Sequence, residues 1–171
     1  MNQYLLDTCV LILCRSRKMR KEVESVLSFL MNRIFSITPE SIYEFVRGVK
    51  DLNEFEQKLF FLKFIPTLQK STEDSIFAAH YYNAISKLEK TTGGKFYNMK
   101  QFSDSDIWIG ASSLSNNLLI LTFDRGDFPA PFFEERAVHK LSSGAKLYLL
   151  EPDFEAFALE VRRLGISLAK K

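Results

Sequence analysis

Six acidic residues stand where this chain could do chemistry: Asp7, Glu44, Asp104, Asp106, Asp124 and Asp127. Asp7 interrupts the apolar run YLLDTCVLI, Tyr4 to Ile12. An unpaired buried carboxylate is costly, so Asp7 calls for a partner, a metal ion or a place at an element's edge. Each acid also has a plain structural account. Asp between a strand and a helix commonly satisfies free backbone amides. Glu44 fits an exposed, solvated helix face; Ser41 to Glu44 has capping-box spacing, but Pro39 fits the first helical position and carries Glu44 beyond the capping turn. Asp104 and Asp106 open a helix, where negative side chains are favoured by about 0.3 to 1 kcal/mol, and one of them is expected to be only a cap. Asp124 and Asp127 could simply shape a turn around Gly126. Taken together, the acids point elsewhere. Several carboxylates within a few ångströms cannot all stay ionised without a cation, and the hard ions Mg2+ and Mn2+ prefer carboxylate oxygens and water.

The elements must therefore bring these acids to one edge. Gln3 to Leu6 reads as a strand, Arg17 to Asn32 as a helix with Val23, Val26, Leu27, Leu30 and Met31 on its apolar face, and Ile34 to Ile37 as a second strand. Thr38 and Pro39 fit an N-cap and first helical position for a helix running to about Val49. Helices over 53–64, 72–90 and 105–116 follow, with a polar loop from Thr91 to Ser103 between the last two. Leu118 to Thr122 and Lys146 to Leu150 are apolar runs typical of buried strands, and Phe154, Phe157, Ala158 and Val161 mark a closing helix. Strands alternating with helices imply an α/β fold with a parallel sheet, whose ligands bind beyond the strands' carboxyl ends. Asp7 and Asp124 both lie just past such an end.

The motifs YLLDTCVLI, SITPESIYEFVRGV, DIWIGASSL and LLILTFDRGDF resemble, in that order, those of the PIN-domain nucleases, in particular the toxin ribonucleases of VapBC toxin-antitoxin pairs. The resemblance spans Tyr4 to about Phe128. It implies a PIN-like three-layer fold with a central, mostly parallel sheet of four or five strands flanked by helices. It also implies that Asp7, Glu44, Asp106 and Asp124 hold Mg2+, or Mn2+, with Thr8 and Thr122 orienting water or the acids. Metal-activated water would then attack a phosphodiester in RNA, leaving 5'-phosphate and 3'-hydroxyl ends. Asp104 and Asp127 are competing acids in the third and fourth motifs. A cognate antitoxin and a homodimer follow from the same resemblance. The alternatives are a stand-alone RNA-processing nuclease of this type, or a non-catalytic module binding RNA or protein. Relative to the family the chain is long, with extra residues expected in the Thr91 to Ser103 loop and around Pro129 to Ser143.

Bulk composition is compatible with this and selects little. With 171 residues and 46% hydrophobic content, the chain suits one domain over 1–171. Lys plus Arg number 23 against 21 Asp plus Glu, so polyanion binding must come from local clustering. The run RSRKMRK supplies one cluster, Arg15, Arg17, Lys18, Arg20 and Lys21, which could attract RNA phosphates if it lies near the acids and is otherwise a solvated helix face. Cys9 and Cys14 lack zinc-site spacing and read as buried, reduced thiols. The first apolar stretch is too short to span a bilayer, and neither a membrane anchor nor a signal peptide is expected, with the cytoplasm following by default. TTGGK, Thr91 to Lys95, lacks the spacing of a phosphate loop, and His80 and His139 have no ligand-spaced companions for zinc. Phe60, Phe61, Phe64, Tyr81 and Tyr82 read as core, or less simply as a groove for a partner helix. A haloacid-dehalogenase-like phosphatase would need an aspartate where Cys9 stands.

Overall fold

Two short apolar strands carry the centre of the molecule. β1, Gln3–Leu6, and β3, Leu119–Thr122, pair in parallel with Tyr4 opposite Leu119 and Leu6 opposite Leu121. The computed structural model describes residues 3–16, 19–29, 34–93, 99 and 102–165. In chain order the remaining elements are α1 (Thr8–Arg15), α2 (Arg20–Phe29), β2 (Ile34–Ser36), α3 (Pro39–Val46), α4 (Leu52–Leu62), α5 (Thr72–Thr92), α6 (Asp104–Asn116), β4 (Phe133–Lys140), β5 (Lys146–Pro152) and α7 (Phe154–Arg163). The sheet order is β2-β1-β3-β5-β4, parallel across β2, β1 and β3 and antiparallel from β3 through β5 to β4. This mixed α/β arrangement, with seven helices flanking five strands among the described residues, is compatible with a PIN-like fold.

Side chains alternate across the strands, so each face of the sheet builds its own core. Tyr4, Leu6, Leu119 and Leu121 pack with Val10 and Leu11 of α1, Val23 of α2, Phe45 of α3 and Leu62 of α4. Leu5, Ile120 and Leu150 pack on the other face with Tyr81 and Ile85 of α5, Ile107 and Leu114 of α6, and Phe157 of α7. Each such fully buried side chain contributes about 1.5 to 3 kcal/mol of transfer free energy. The chain leaves β1 for β2 on one side and returns from β2 to β3 on the other. The reversal puts a crevice at the carboxyl ends of β1 and β3.

Several local expectations are corrected. The apolar residues after Asp7 form α1, a helix additional to those expected, and α2 begins at Arg20; Leu30 to Asn32 lie outside the described residues. α3 starts as expected, with Thr38 Oγ1 accepting from Ser41 N at 3.1 Å. It ends at Val46 rather than Val49, because Arg47 turns extended and Gly48 takes φ +76°. The segment around Pro129 to Ser143, to which the sequence assigns no element, contains β4, an edge strand exposed along its length after Phe133. It has a bulge between Glu135 and Ala137. Of the aromatic group read as core, Tyr81 is buried while Phe60, Phe64 and Tyr82 are exposed. Among the described residues no helix is long and apolar enough to cross a membrane.

Candidate active site

Asp7 follows β1 directly, its amide bonding to Leu121 O at 3.0 Å and extending the β1–β3 ladder by one residue. It occupies the N-cap position of α1, yet its side chain makes no capping bond to that helix's amides. Oδ2 instead accepts from Thr122 Oγ1 at 2.5 Å and from Cys9 Sγ at 2.9 Å. The residue is 3% exposed. Burial raises its carboxyl above the ordinary value and the charge of Glu44 adds to the rise, while bonds from Cys9, Thr122 and the Thr8 backbone work against it. Thr122 also accepts from Asp124 N at 2.9 Å, so one hydroxyl joins the ends of both strands. Thr8, buried beside Asp7, reaches Ser105 of α6 through its hydroxyl at 3.5 Å.

α6 delivers the next acid through a capping box. Ser103 Oγ accepts from Asp106 N at 3.2 Å, and Asp106 Oδ2 accepts from Ser103 N at 2.7 Å and Ser103 Oγ at 2.8 Å. The cap that the sequence assigns to one of the two aspartates is therefore Asp106 itself, while Asp104 is exposed. Only one Asp106 oxygen, Oδ2, is engaged in the box. Burial pushes its carboxyl up to about 6, opposed by the Ser103 bonds and reinforced by the charges of Asp7 and Glu44. Glu44 lies on α3, partly shielded, with Arg47 at 3.6 Å.

The fourth motif splits its two acids. Asp124 is exposed and caps the 3-10 turn Arg125–Asp127, its Oδ1 accepting from Gly126 N at 2.9 Å. Asp127, half-buried, is pushed up to about 8 by burial and then by the charges of Asp106, Asp124, Asp7 and Glu44. Four of the other five candidate acids thus bear on it. Arg125 fixes this turn by donating to Phe128 O, and to Phe133 O at 2.8 Å.

The donor set is all oxygen and several of its members are raised, which suits a hard divalent cation. Among the described residues, however, no three of His, Cys, Asp and Glu already stand close enough together to hold a metal ion. The carboxylates share one electrostatic neighbourhood without forming a closed shell.

The basic run is placed differently. Arg15 ends α1, an eight-residue helix about 12 Å long that follows Asp7, and donates to Gln57 Oε1 at 3.0 Å. Arg20 pairs with Glu24 at 2.7 Å, Lys21 is exposed, and Arg17 and Lys18 lie outside the described residues. Neither of two surface clefts is lined by any of the six candidate acids. One, of about 250 Å3, lies at the opposite end of the sheet between Gln3, Asn117, Arg136 and Glu151. The other, of about 440 Å3, is an apolar groove between Leu11, Leu27, Phe35, Phe61 and Phe64.

Sequence reasoning did not find the contribution of Cys9, whose thiol serves Asp7, because no general spacing rule links a cysteine to an aspartate two residues before it. Ser103 was within reach, since Ser three residues before Asp106 has capping-box spacing.

The fold and the acid crevice define a class of α/β protein with a carboxylate-lined switch point. No family model and no curated protein matches the chain. Solved structures do. A chain in the structure of VapBC2 from Rickettsia felis bound to a DNA fragment from their promoter is similar with TM-score 0.54 and 16% identity, over 71% of this chain and 88% of that one. A chain of FitAcB from Neisseria gonorrhoeae is similar with TM-score 0.50 and 20% identity, over 73% and 90%. At such identities the likeness is one of fold.

Proposed function

We propose that the chain is a divalent-metal-dependent endoribonuclease and that it acts as the toxin of a toxin-antitoxin pair. The observation that carries the reading is the placement of Asp7 and Asp124 directly after the neighbouring parallel strands β1 and β3, joined through the Thr122 hydroxyl, with Thr8 beside Asp7 reaching Ser105 of the helix that bears Asp106. A group of acids held against their own repulsion gains most from a bound cation. The fold likeness to VapBC2 and FitAcB, together with the acid motifs, supports the toxin assignment, and with it an antitoxin partner and a homodimer.

In this reading Asp7, Glu44, Asp106 and one of Asp124 and Asp127 hold Mg2+ or Mn2+. The ion, when bound, supplies a nucleophilic hydroxide and stabilises charge developing on the phosphate. The protein's part is positional. Thr122 and Cys9 fix one oxygen of Asp7, and Ser103 fixes one oxygen of Asp106, so both carboxylates are held by the protein's own donors. Target selection would come from groove shape and stacking rather than from the acids.

The test is incubation of rigorously purified protein with labelled RNA. Cleavage is expected with Mg2+ or Mn2+, giving 5'-phosphate ends, and is expected to stop in chelator; undiminished cleavage in chelator would contradict the mechanism. A non-catalytic RNA- or protein-binding module is the contrasting reading, favoured by the open spacing of the acids among the described residues. Suppression of toxicity by the product of a small neighbouring reading frame would separate a toxin from a stand-alone RNA-processing enzyme.

A further inference from the structure

Cys9 stands in the first turn of α1, partly buried, where a small apolar side chain would serve packing alone. Its sulfur is nevertheless bonded on two sides. Sγ donates to Oδ2 of Asp7 at 2.9 Å and accepts from Phe123 N, the first amide after β3, at 3.2 Å.

Thr122 makes the matching pair. Its hydroxyl donates to the same Oδ2 at 2.5 Å and accepts from Asp124 N at 2.9 Å, and the sulfur and the hydroxyl oxygen lie 3.5 Å apart. Two consecutive amides of the segment that leads into the fourth motif, those of Phe123 and Asp124, thus reach one oxygen of Asp7 through one thiol and one hydroxyl. Thr122 holds the carboxylate from the end of β3, and Cys9 holds it from α1. Together these bonds account for an aspartate at the N-cap position whose side chain caps no amide of its helix.

We infer that Cys9 is a positioning residue of the acid site, its thiol tying Asp7 to the backbone that runs from β3 into the turn bearing Asp124 and Asp127. This rests on reading Asp7 as a member of that site. The free amides at the start of α1 compete for the Asp7 carboxylate, as they do for any N-cap aspartate. A donor on the first turn of that same helix holds the carboxylate toward β3 instead.

Cys9→Ser in the full chain keeps a donor and an acceptor at the position, and Cys9→Ala removes both. The infrared spectrum of the parent minus that of Cys9→Ser isolates the Cys9 S–H stretch from that of Cys14, and is expected to show it lowered from the frequency of an unbonded thiol. Amide hydrogen exchange at Phe123 is expected to be faster in Cys9→Ala than in the parent, and close to the parent's in Cys9→Ser. Calorimetric titration with Mn2+ is expected to show affinity reduced about tenfold in Cys9→Ala, as for other groups that orient metal-binding residues, and largely restored in Cys9→Ser. An S–H stretch at the unbonded frequency would overturn the inference, as would equal Mn2+ affinity in parent and Cys9→Ala. An equal loss in both variants would also overturn it, since it would mark a packing role. A parent that binds no Mn2+ would sink the metal reading, while a lowered S–H stretch with faster Phe123 exchange in Cys9→Ala would still support the tie from Cys9 to Asp7.

Discussion

Thr122, the last residue of β3, donates its hydroxyl to Oδ2 of Asp7, the first residue after β1, across 2.5 Å. These two residues are 115 positions apart in sequence. Their bond spans the topological switch point and fixes the most buried acid of the crevice against the strand that carries the fourth motif.

Thr122→Val keeps the shape and β-branching of the side chain and removes this donor. Loss of a buried bond to a charged acceptor is expected to destabilise the protein by about 1 to 3 kcal/mol. Because Thr122 opposes the rise of the Asp7 carboxyl, its removal raises that group further, and metal-dependent cleavage is expected to need higher pH. Denaturant unfolding and a pH series of RNA cleavage measure the two effects.

The fourth motif gives the sharpest mutational contrast. The family spacing favours Asp124, whereas Asp127 is raised by the charges of Asp106, Asp124, Asp7 and Glu44. Asp127→Asn is expected to abolish cleavage and, above about pH 8 where Asp127 is deprotonated, to raise the metal-free melting temperature by removing a repelling charge. Asp124→Ala is expected to retain cleavage and to lose roughly 0.5 to 2 kcal/mol with its cap. A dead, well-folded Asp124→Ala beside a working Asp127→Asn would assign the fourth acid to Asp124.

The raised acids predict a definite pH dependence. Asp127 lies near 8 and Asp106 near 6 in the folded chain, against an ordinary value of 3.8. Between the unfolded and folded values the folded state binds more protons, so stability falls as pH rises. The metal-free protein is therefore expected to melt at progressively lower temperature from about pH 4 to about pH 8. Added Mg2+ should stabilise most at the upper end of that window, where the acids are deprotonated and repel. Thermal melts across pH with and without Mg2+ check this, and a metal-free stability that increases through the window would contradict it.

Gly110→Ala tests the packing beneath the site. A Cβ there would stand 2.5 Å from Cε1 of the buried Tyr81 ring. Although alanine is the better helix former, overpacking is expected to prevail, with a net loss of about 1 to 3 kcal/mol in urea unfolding.

Local chemistry made much of this legible from sequence. Thr38 and Pro39 announce the start of α3, the apolar runs around Leu5 and Ile120 announce buried strands, and the aspartates just past their ends mark the crevice. α1 escaped notice because TCVLILC is apolar on nearly every side and shows little helical contrast. β4 escaped because FEERAVHK is an edge strand exposed on both faces, with no alternation to read. The choice between Asp124 and Asp127, the thiol of Cys9 on Asp7 and the phenol of Tyr81 under Gly110 all depend on contacts made only after folding.

The central claim is that the acids at the ends of β1 and β3 converge on one divalent ion. Anomalous diffraction from Mn2+-soaked crystals of the full chain tests it most directly. A manganese peak is expected about 2.0 to 2.2 Å from carboxylate oxygens of Asp7 and Asp106, with Glu44 and Asp127 closing around it. A well-ordered crevice without manganese, in crystals whose ion concentration supports RNA cleavage in solution, would contradict it.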